Sequence, residues 1–180
     1  LANLGKKRSE ETKRKISKTW STPKMLKFAR ERMKHIVFPK EDTKPEKFLQ
    51  ALLTDKKIKF EKHVVFKTGG RPYYHKVDLF IQPNICIEVY GDWVHANPNK
   101  KNADGSMKYP NNCVMRKAHK NSPEQTAGYI RSRDGRLKKE IERQGNVFLT
   151  FWQSELETEP EKCLQKIIKI IKEATSLKKS

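Results

Sequence analysis

Two acidic side chains interrupt apolar runs in Val77–His95, VDLFIQPNICIEVYGDWVH. Asp78 lies in the first run and Glu88 in the second, across a short Gln82-Pro83-Asn84 turn. A carboxylate inside a strand that is otherwise core costs several kcal/mol unless it is paired or binds a cation. After a Gly91 break come Trp93 and His95. Histidine titrates near neutral pH and serves as a general base or holds a water. Two carboxylates that can reach one cation from neighbouring strands, beside a histidine, are the makings of a metal-assisted hydrolytic site. The reading that competes at each position is plain: Asp78 and Glu88 as core carboxylates paired with a base, His95 as a loop histidine.

The elements that must position these residues follow from pattern. Thr43-Lys44-Pro45-Glu46 reads as a capping box, T-x-x-E, opening a helix to about Asp55 with Phe48, Leu49, Leu52 and Leu53 on its buried face. Phe60–Phe66, Tyr73–Ile81 and Ile85–Tyr90 read as strands, with a turn at Thr68–Pro72. On the last, Ile85, Ile87 and Val89 share one face and Cys86, Glu88 and Tyr90 the other. Residues 96–121 form a long polar loop carrying Lys100, Lys101, Lys108, Arg116, Lys117 and Lys120. Ser122-Pro123 opens a long helix ending near Gln144, with Gly145 in the capping position. Asn146–Trp152 is a last strand and about Glu159–Ala174 a last helix. The order predicts an α/β core, a mixed sheet with helices on its faces.

Ahead of this core the chain is basic. Ser9 is an N-cap, with Glu10 and Glu11 in the first turn of a helix to about Lys18. Thr22-Pro23 starts a second helix to about His35. The break at Phe38-Pro39-Lys40-Glu41-Asp42 places a boundary between a helical arm, 1–38, and the core, 39–180. Lys and Arg number 40 against 21 Asp and Glu, a formal charge of +19 on 180 residues. So large a like charge repels itself and implies a polyanionic partner. The apolar runs fall well short of the ~20 residues needed to span a bilayer, and no secretory signal opens the chain, so no membrane partner is expected. Cys86, Cys113 and Cys163 are odd in number and lack a CxxC pair, which reads as reduced thiols in an intracellular protein.

Gly5–Ser17, GKKRSEETKRKIS, resembles the nuclease-associated modular DNA-binding motif of phage and intron homing endonucleases. The resemblance implies a helix or arm lying along double-stranded DNA, with Lys6, Lys7, Arg8, Ser9, Lys13, Arg14 and Lys15 at the interface. Residues 43–156 resemble the restriction-endonuclease-like PD-(D/E)xK core, and within it the very-short-patch-repair (Vsr-like) branch and its EDxHD homing relatives. The matching features come in order: Glu46 opening the first core helix, Asp78 in the second strand, then Gly91, Trp93 and His95. Arg133-Asp134 with Leu137 follows on the long helix, then Gly145, Val147, Phe148 and Trp152.

What the resemblance implies is a sequence-specific, metal-dependent DNA endonuclease, phage- or intron-encoded and working in the cytoplasm or nucleoid. Magnesium, or manganese, would neutralise the phosphate and activate a water. Asp78 is its central ligand, Asp134 orients His95, and Glu46 touches the metal-bound water. The family's third-strand contribution is a backbone carbonyl, which falls on Val89; whether Glu88 ligates by its side chain stays open. Tyr90 stands where the ExK signature has lysine, which favours the histidine variant. Only Cys113 and His119 lie where the family's structural zinc is held, so no such zinc is expected. Lys100, Lys101, Arg116, Lys117 and Lys120 would add DNA contacts. One candidate site per chain means that cutting both strands needs a homodimer or two successive nicks.

Other assignments compete. Asp134 pairing with Lys138 at i,i+4 and Glu46 merely closing its capping box are the structural alternatives. An HNH-type nuclease would use His95, Asn111 or Asn112, and His119. A non-catalytic DNA-binding protein with a decayed nuclease core would keep the charge without the chemistry.

Overall fold

The computed structural model describes residues 9–35, 41–69, 74–119 and 123–176. The chain divides into two units, Leu1–Lys40 and Glu41–Ser180. In the first, α1 (Glu10–Trp20) is capped by Ser9, whose hydroxyl accepts the Thr12 N–H at 3.2 Å. Lys13 pairs with Glu10 and Lys15 with Glu11 on its exposed surface. No residue of α1 is buried. A second helix, α2, runs Pro23–His35, its start set by proline at the first helical position. The sequence-stretches Gly5–Arg8 and Phe38–Lys40 lie outside the described residues.

The second unit is a mixed α/β fold, a four-strand mixed sheet flanked by helices. Helix α3 (Lys44–Asp55) leads into β1 (Glu61–Lys67), β2 (Tyr74–Ile81) and β3 (Ile85–Tyr90). After the short strands β4 (Val114–Arg116) and β5 (Gln125–Thr126) come α4 (Ala127–Glu142), β6 (Val147–Trp152), α5 (Gln153–Thr158) and α6 (Pro160–Ser176). The sheet order is β1-β2-β3-β6, with β1, β2 and β3 antiparallel and β6 parallel to β3. The parallel step requires a crossover, and α4 supplies it. Every residue of β3 is buried, which is why ICIEVY reads as a nearly continuous apolar run.

One face of the sheet packs Ile85, Ile87 and Val89 with Leu49 and Leu53 of α3, Leu156 of α5 and Leu164 and Ile167 of α6. The opposite face packs Cys86, Val77, Phe80 and Phe148 against Ile141 of α4. Alternation along β2 breaks once. Val77 and Phe80 share the α4 cluster, whereas Leu79 and Ile81 belong to the other. Asp78 sits at that break.

Three expectations need correction. The long helix starts at Ala127, not at Ser122-Pro123, because Gln125 and Thr126 pair with β4 and Thr126 then caps the helix by accepting the Tyr129 N–H. Segment 96–121 is not simply a polar loop. It holds β4 and buries Tyr109 and Met115 with Ala96, Ala127 and Ile130 in a small core of its own. Thr43 does not close a capping box: its hydroxyl accepts no N–H and instead donates to Glu46 Oε1 at 2.6 Å. Helix α5 was not anticipated. Glu155 starts it by accepting the Trp152 N–H at 2.9 Å.

Candidate active site

Strands β2 and β3 pair as far as Leu79 and Ile87 and no further. Beyond that point the Asp78 side chain takes the place of a strand, with Oδ2 accepting the Val89 N–H at 2.8 Å. Burial pushes the Asp78 carboxyl up to about 9, and the Glu88 charge adds to the effect. The Val89 N–H works against it, and Glu46 and Asp42 raise it further. Glu88 is buried too, and its Oε1 lies 2.9 Å from His75 Nε2. Glu46 is buried at the start of α3. Asp42 is pulled down to about 2, chiefly by Lys62, with Gln50 and His63 also bound to it. Asp78 and Glu88 are therefore two close, poorly solvated acids, and burial together with the neighbouring acids Glu88 and Glu46 favours the proton on Asp78.

The second group hangs from a turn after β3. The His95 N–H donates to Gly91 O and the Asn97 N–H to Asp92 O. Asp92 Oδ1 accepts Asn97 Nδ2 at 2.6 Å and Ser154 Oγ at 3.0 Å, tying the turn to α5. The turn presents His95 with its ring stacked on Tyr90, centroids 3.9 Å apart and planes 2° from parallel. Tyr90 meets Trp152 edge-on at 5.4 Å. His95 Nδ1 lies 2.7 Å from Asp134 Oδ2. Arg133 donates Nε and a terminal nitrogen to the other oxygen, at 2.9 and 2.8 Å. Burial alone would raise the Asp134 carboxyl, but the His95 hydrogen bond and charge, with Arg133, outweigh it and hold the group below its ordinary value. An ionised carboxylate only accepts, so the proton between them belongs to His95 Nδ1, and Nε2 is the ring nitrogen left free to exchange a proton.

Tyr90 links the two groups. After burial, the charges of Glu88, Asp134 and Asp78 all raise its hydroxyl. The structure thus brings Asp78, Glu88 and Val89 together, and His95 with Asp134, while Lys138 pairs with Glu142 instead of Asp134. Arg131 holds the segment above this site. It donates to Ala96 O at 2.8 Å and Tyr109 O at 3.0 Å, and also binds the Asn111 side chain.

Among the described residues no three His, Cys, Asp or Glu side chains converge as a metal cluster. The donor set still suits magnesium, which takes one or two carboxylates and keeps several waters. A cation would offset both the burial of an ionised Asp78 and its repulsion by Glu88, the two effects that push it up to about 9.

Of the residues expected at DNA, Lys6, Lys7, Arg8 and Lys120 lie outside the described residues. Ser9 is occupied as a helix cap, Lys13 and Lys15 pair within α1, and Arg14 is exposed. Lys100 pairs with Asp92 at 3.2 Å; Lys101, Arg116 and Lys117 are exposed. Asn111 is committed to Arg131, and neither Asn112 nor His119 lines the cleft at His95. His75 was not anticipated as a neighbour of the site, and Arg133 stood beside Asp134 in the matched pair without a role of its own. The signal for Arg133 was its place before Asp134; His75 had none, since only the splay of β2 from β3 brings it to Glu88. No described helix is long and apolar enough to cross a membrane.

No protein-family model matches the chain, and no curated protein matches it. Among solved structures, the chain is similar to the catalytic domain of the homing endonuclease I-Bth0305I, at 20% sequence identity over 71% of this chain and 93% of that chain, with a TM-score of 0.43.

Proposed function

We propose that this protein is a metal-dependent DNA endonuclease of the homing type, with a basic helical arm (1–38) and a PD-(D/E)xK core of the EDxHD kind (39–180). The observation that carries the reading is the 2.7 Å bond from His95 Nδ1 to Asp134, made beside a buried pair of acids. It leaves His95 Nε2 to take a proton from an attacking water, while the Tyr90 stack holds the ring. Asp78, the Val89 carbonyl and the second oxygen of Glu88 would hold magnesium or manganese. The cation, when bound, supplies charge neutralisation at the phosphate and a water of lowered pKa. Glu46 would accept from that water at the start of α3. The charge of +19 supports a DNA partner, bound by the arm and by Lys101, Arg116 and Lys117. A DNA substrate puts the work in the cytoplasm or nucleoid, with two chains or two nicks needed for a double-strand break.

Supercoiled plasmid carrying the host locus tests this. The wild type is expected to nick or linearise it with magnesium and not with chelator, and His95→Ala or Asp134→Asn to cut about 10²–10⁴-fold more slowly. Tight binding without chelator-sensitive cleavage would leave a DNA-binding protein with a decayed core, a reading favoured by the hold of His75 on Glu88. Full activity in Asp78→Ala with none in His119→Ala would favour the HNH arrangement.

A further inference from the structure

Beside the His95–Asp134 pair, α4 and β6 leave a cleft of about 210 Å³. Tyr90, Pro98, Trp152 and Gly135 line it, with His95 on one side and Lys138 on another. It is smaller than the roughly 300–1,000 Å³ of clefts that take drug-sized ligands. Its walls are mainly aromatic and apolar; Arg131 and Asp134, both committed to other partners, and Thr150 complete the lining.

Gly135 is the unexplained part of this wall. It lies in the interior of α4, where glycine costs about 1 kcal/mol relative to alanine. The other glycine of that helix, Gly128, has a packing reason: a Cβ there would meet Asn111 O at 3.1 Å. At Gly135 a Cβ would meet nothing within 4 Å. No described protein atom needs the room that the missing side chain leaves, and the room opens on the cleft.

We propose that this cleft receives a single unstacked nucleobase of the DNA strand whose phosphate lies at His95. The partly exposed Trp152 ring suits any base, since each base presents a flat π-face. The formal charge of +19 and the Lys138 ammonium at the cleft match a strand that brings phosphates on either side of the base. A phosphate alone would meet the Asp134 carboxylate beside the cations Arg131 and Lys138 and leave the wall of Tyr90, Pro98 and Trp152 uncovered. The inference rests on the nuclease reading for the strand's direction of approach, but not for the binding itself.

The test uses the full chain and Gly135→Ala and Gly135→Leu. Both substitutions favour the helix, so neither threatens folding; only leucine fills the cleft. Deoxyadenosine and thymidine 5′-monophosphates are titrated while the Trp152 indole signal is followed by NMR. The expected result is a saturable shift in the wild type and Gly135→Ala, lost in Gly135→Leu. Abasic deoxyribose 5-phosphate should give none. An equal shift with the abasic compound would make this a phosphate site, and no shift with either nucleotide, or an undiminished one in Gly135→Leu, would overturn the proposal. On cleavable DNA, Gly135→Leu should lower kcat/KM about tenfold or more, as loss of one base stack does. A wild type that shifts with nucleotides yet never cuts DNA would sink the nuclease reading and leave the base cleft standing.

Discussion

Asp78 is a carboxyl whose surroundings favour its proton. Its folded pKa of about 9 stands above the ordinary value of 3.8, so its neutral form stabilises the fold fully below about pH 4. That stability is lost as pH rises through about 9. The metal-free protein is therefore expected to melt at progressively lower temperature from pH 5 to 9, and a divalent cation to reverse the trend. Asp78→Asn keeps an acceptor for the Val89 N–H without the charge. It should raise stability in chelator at pH 8 by about 1–4 kcal/mol, while abolishing cleavage. Thermal denaturation with and without magnesium reads the first effect; a mutant that melts below the wild type in chelator would contradict it. Asp134 works in the opposite sense. Its folded pKa is depressed, so its contribution is present above the ordinary carboxylate range and lost as pH falls.

At the scale of elements, the site depends on what ends and restrains β3, α4 and the segment between them. Gly145 closes α4 in the left-handed region, with φ at +83°, and its carbonyl accepts Asn84 Nδ2 at 2.9 Å. Gly145→Ala should cost about 1–2 kcal/mol, read as a lower urea midpoint with an unchanged slope. Arg131 ties α4 to the carbonyls of Ala96 and Tyr109, one of them next to His95. Arg131→Met should leave the four-strand sheet intact, yet expose the 98–108 segment to protease and slow cleavage. Equal protease resistance in both proteins would remove the clasp from the account. These elements were unevenly legible. Ile85–Tyr90 was bounded correctly from pattern, because burial on both faces writes a continuous apolar run between turn residues. The start of α4 was not. Proline after serine is a local start signal, whereas the pairing of Gln125 and Thr126 with β4 is made with residues about ten positions earlier.

Over the whole molecule, charge is the dominant property. At +19 the chain should bind duplex DNA with a steep dependence on salt, each phosphate contact adding about 0.9 to the log–log slope. Arg14→Ser is expected to reduce that slope by about 0.9 and weaken binding to all sequences alike. Lys13 and Lys15, which pair with Glu10 and Glu11, should contribute less on substitution. Anisotropy titrations between low and moderate salt measure this; an unchanged slope for Arg14→Ser would take α1 off the DNA.

The residues themselves determined which chemistry was available. Acids in apolar runs, a histidine after a glycine break and a basic chain are matters of composition and local period, and need no tertiary contact to be read. The pairing of His95 with Asp134, 39 residues apart, was implied by resemblance alone, because separation along the chain says nothing of distance in space. The tertiary structure decided where each acid spends its oxygens. The divergence of β2 from β3 turns Asp78 onto the Val89 N–H and sets His75 on Glu88. The crossover through α4 carries Asp134 to the Nδ1 edge of the His95 ring and leaves Gly135 facing empty room. Those outcomes follow from register and crossover geometry, which arise only when distant segments pack.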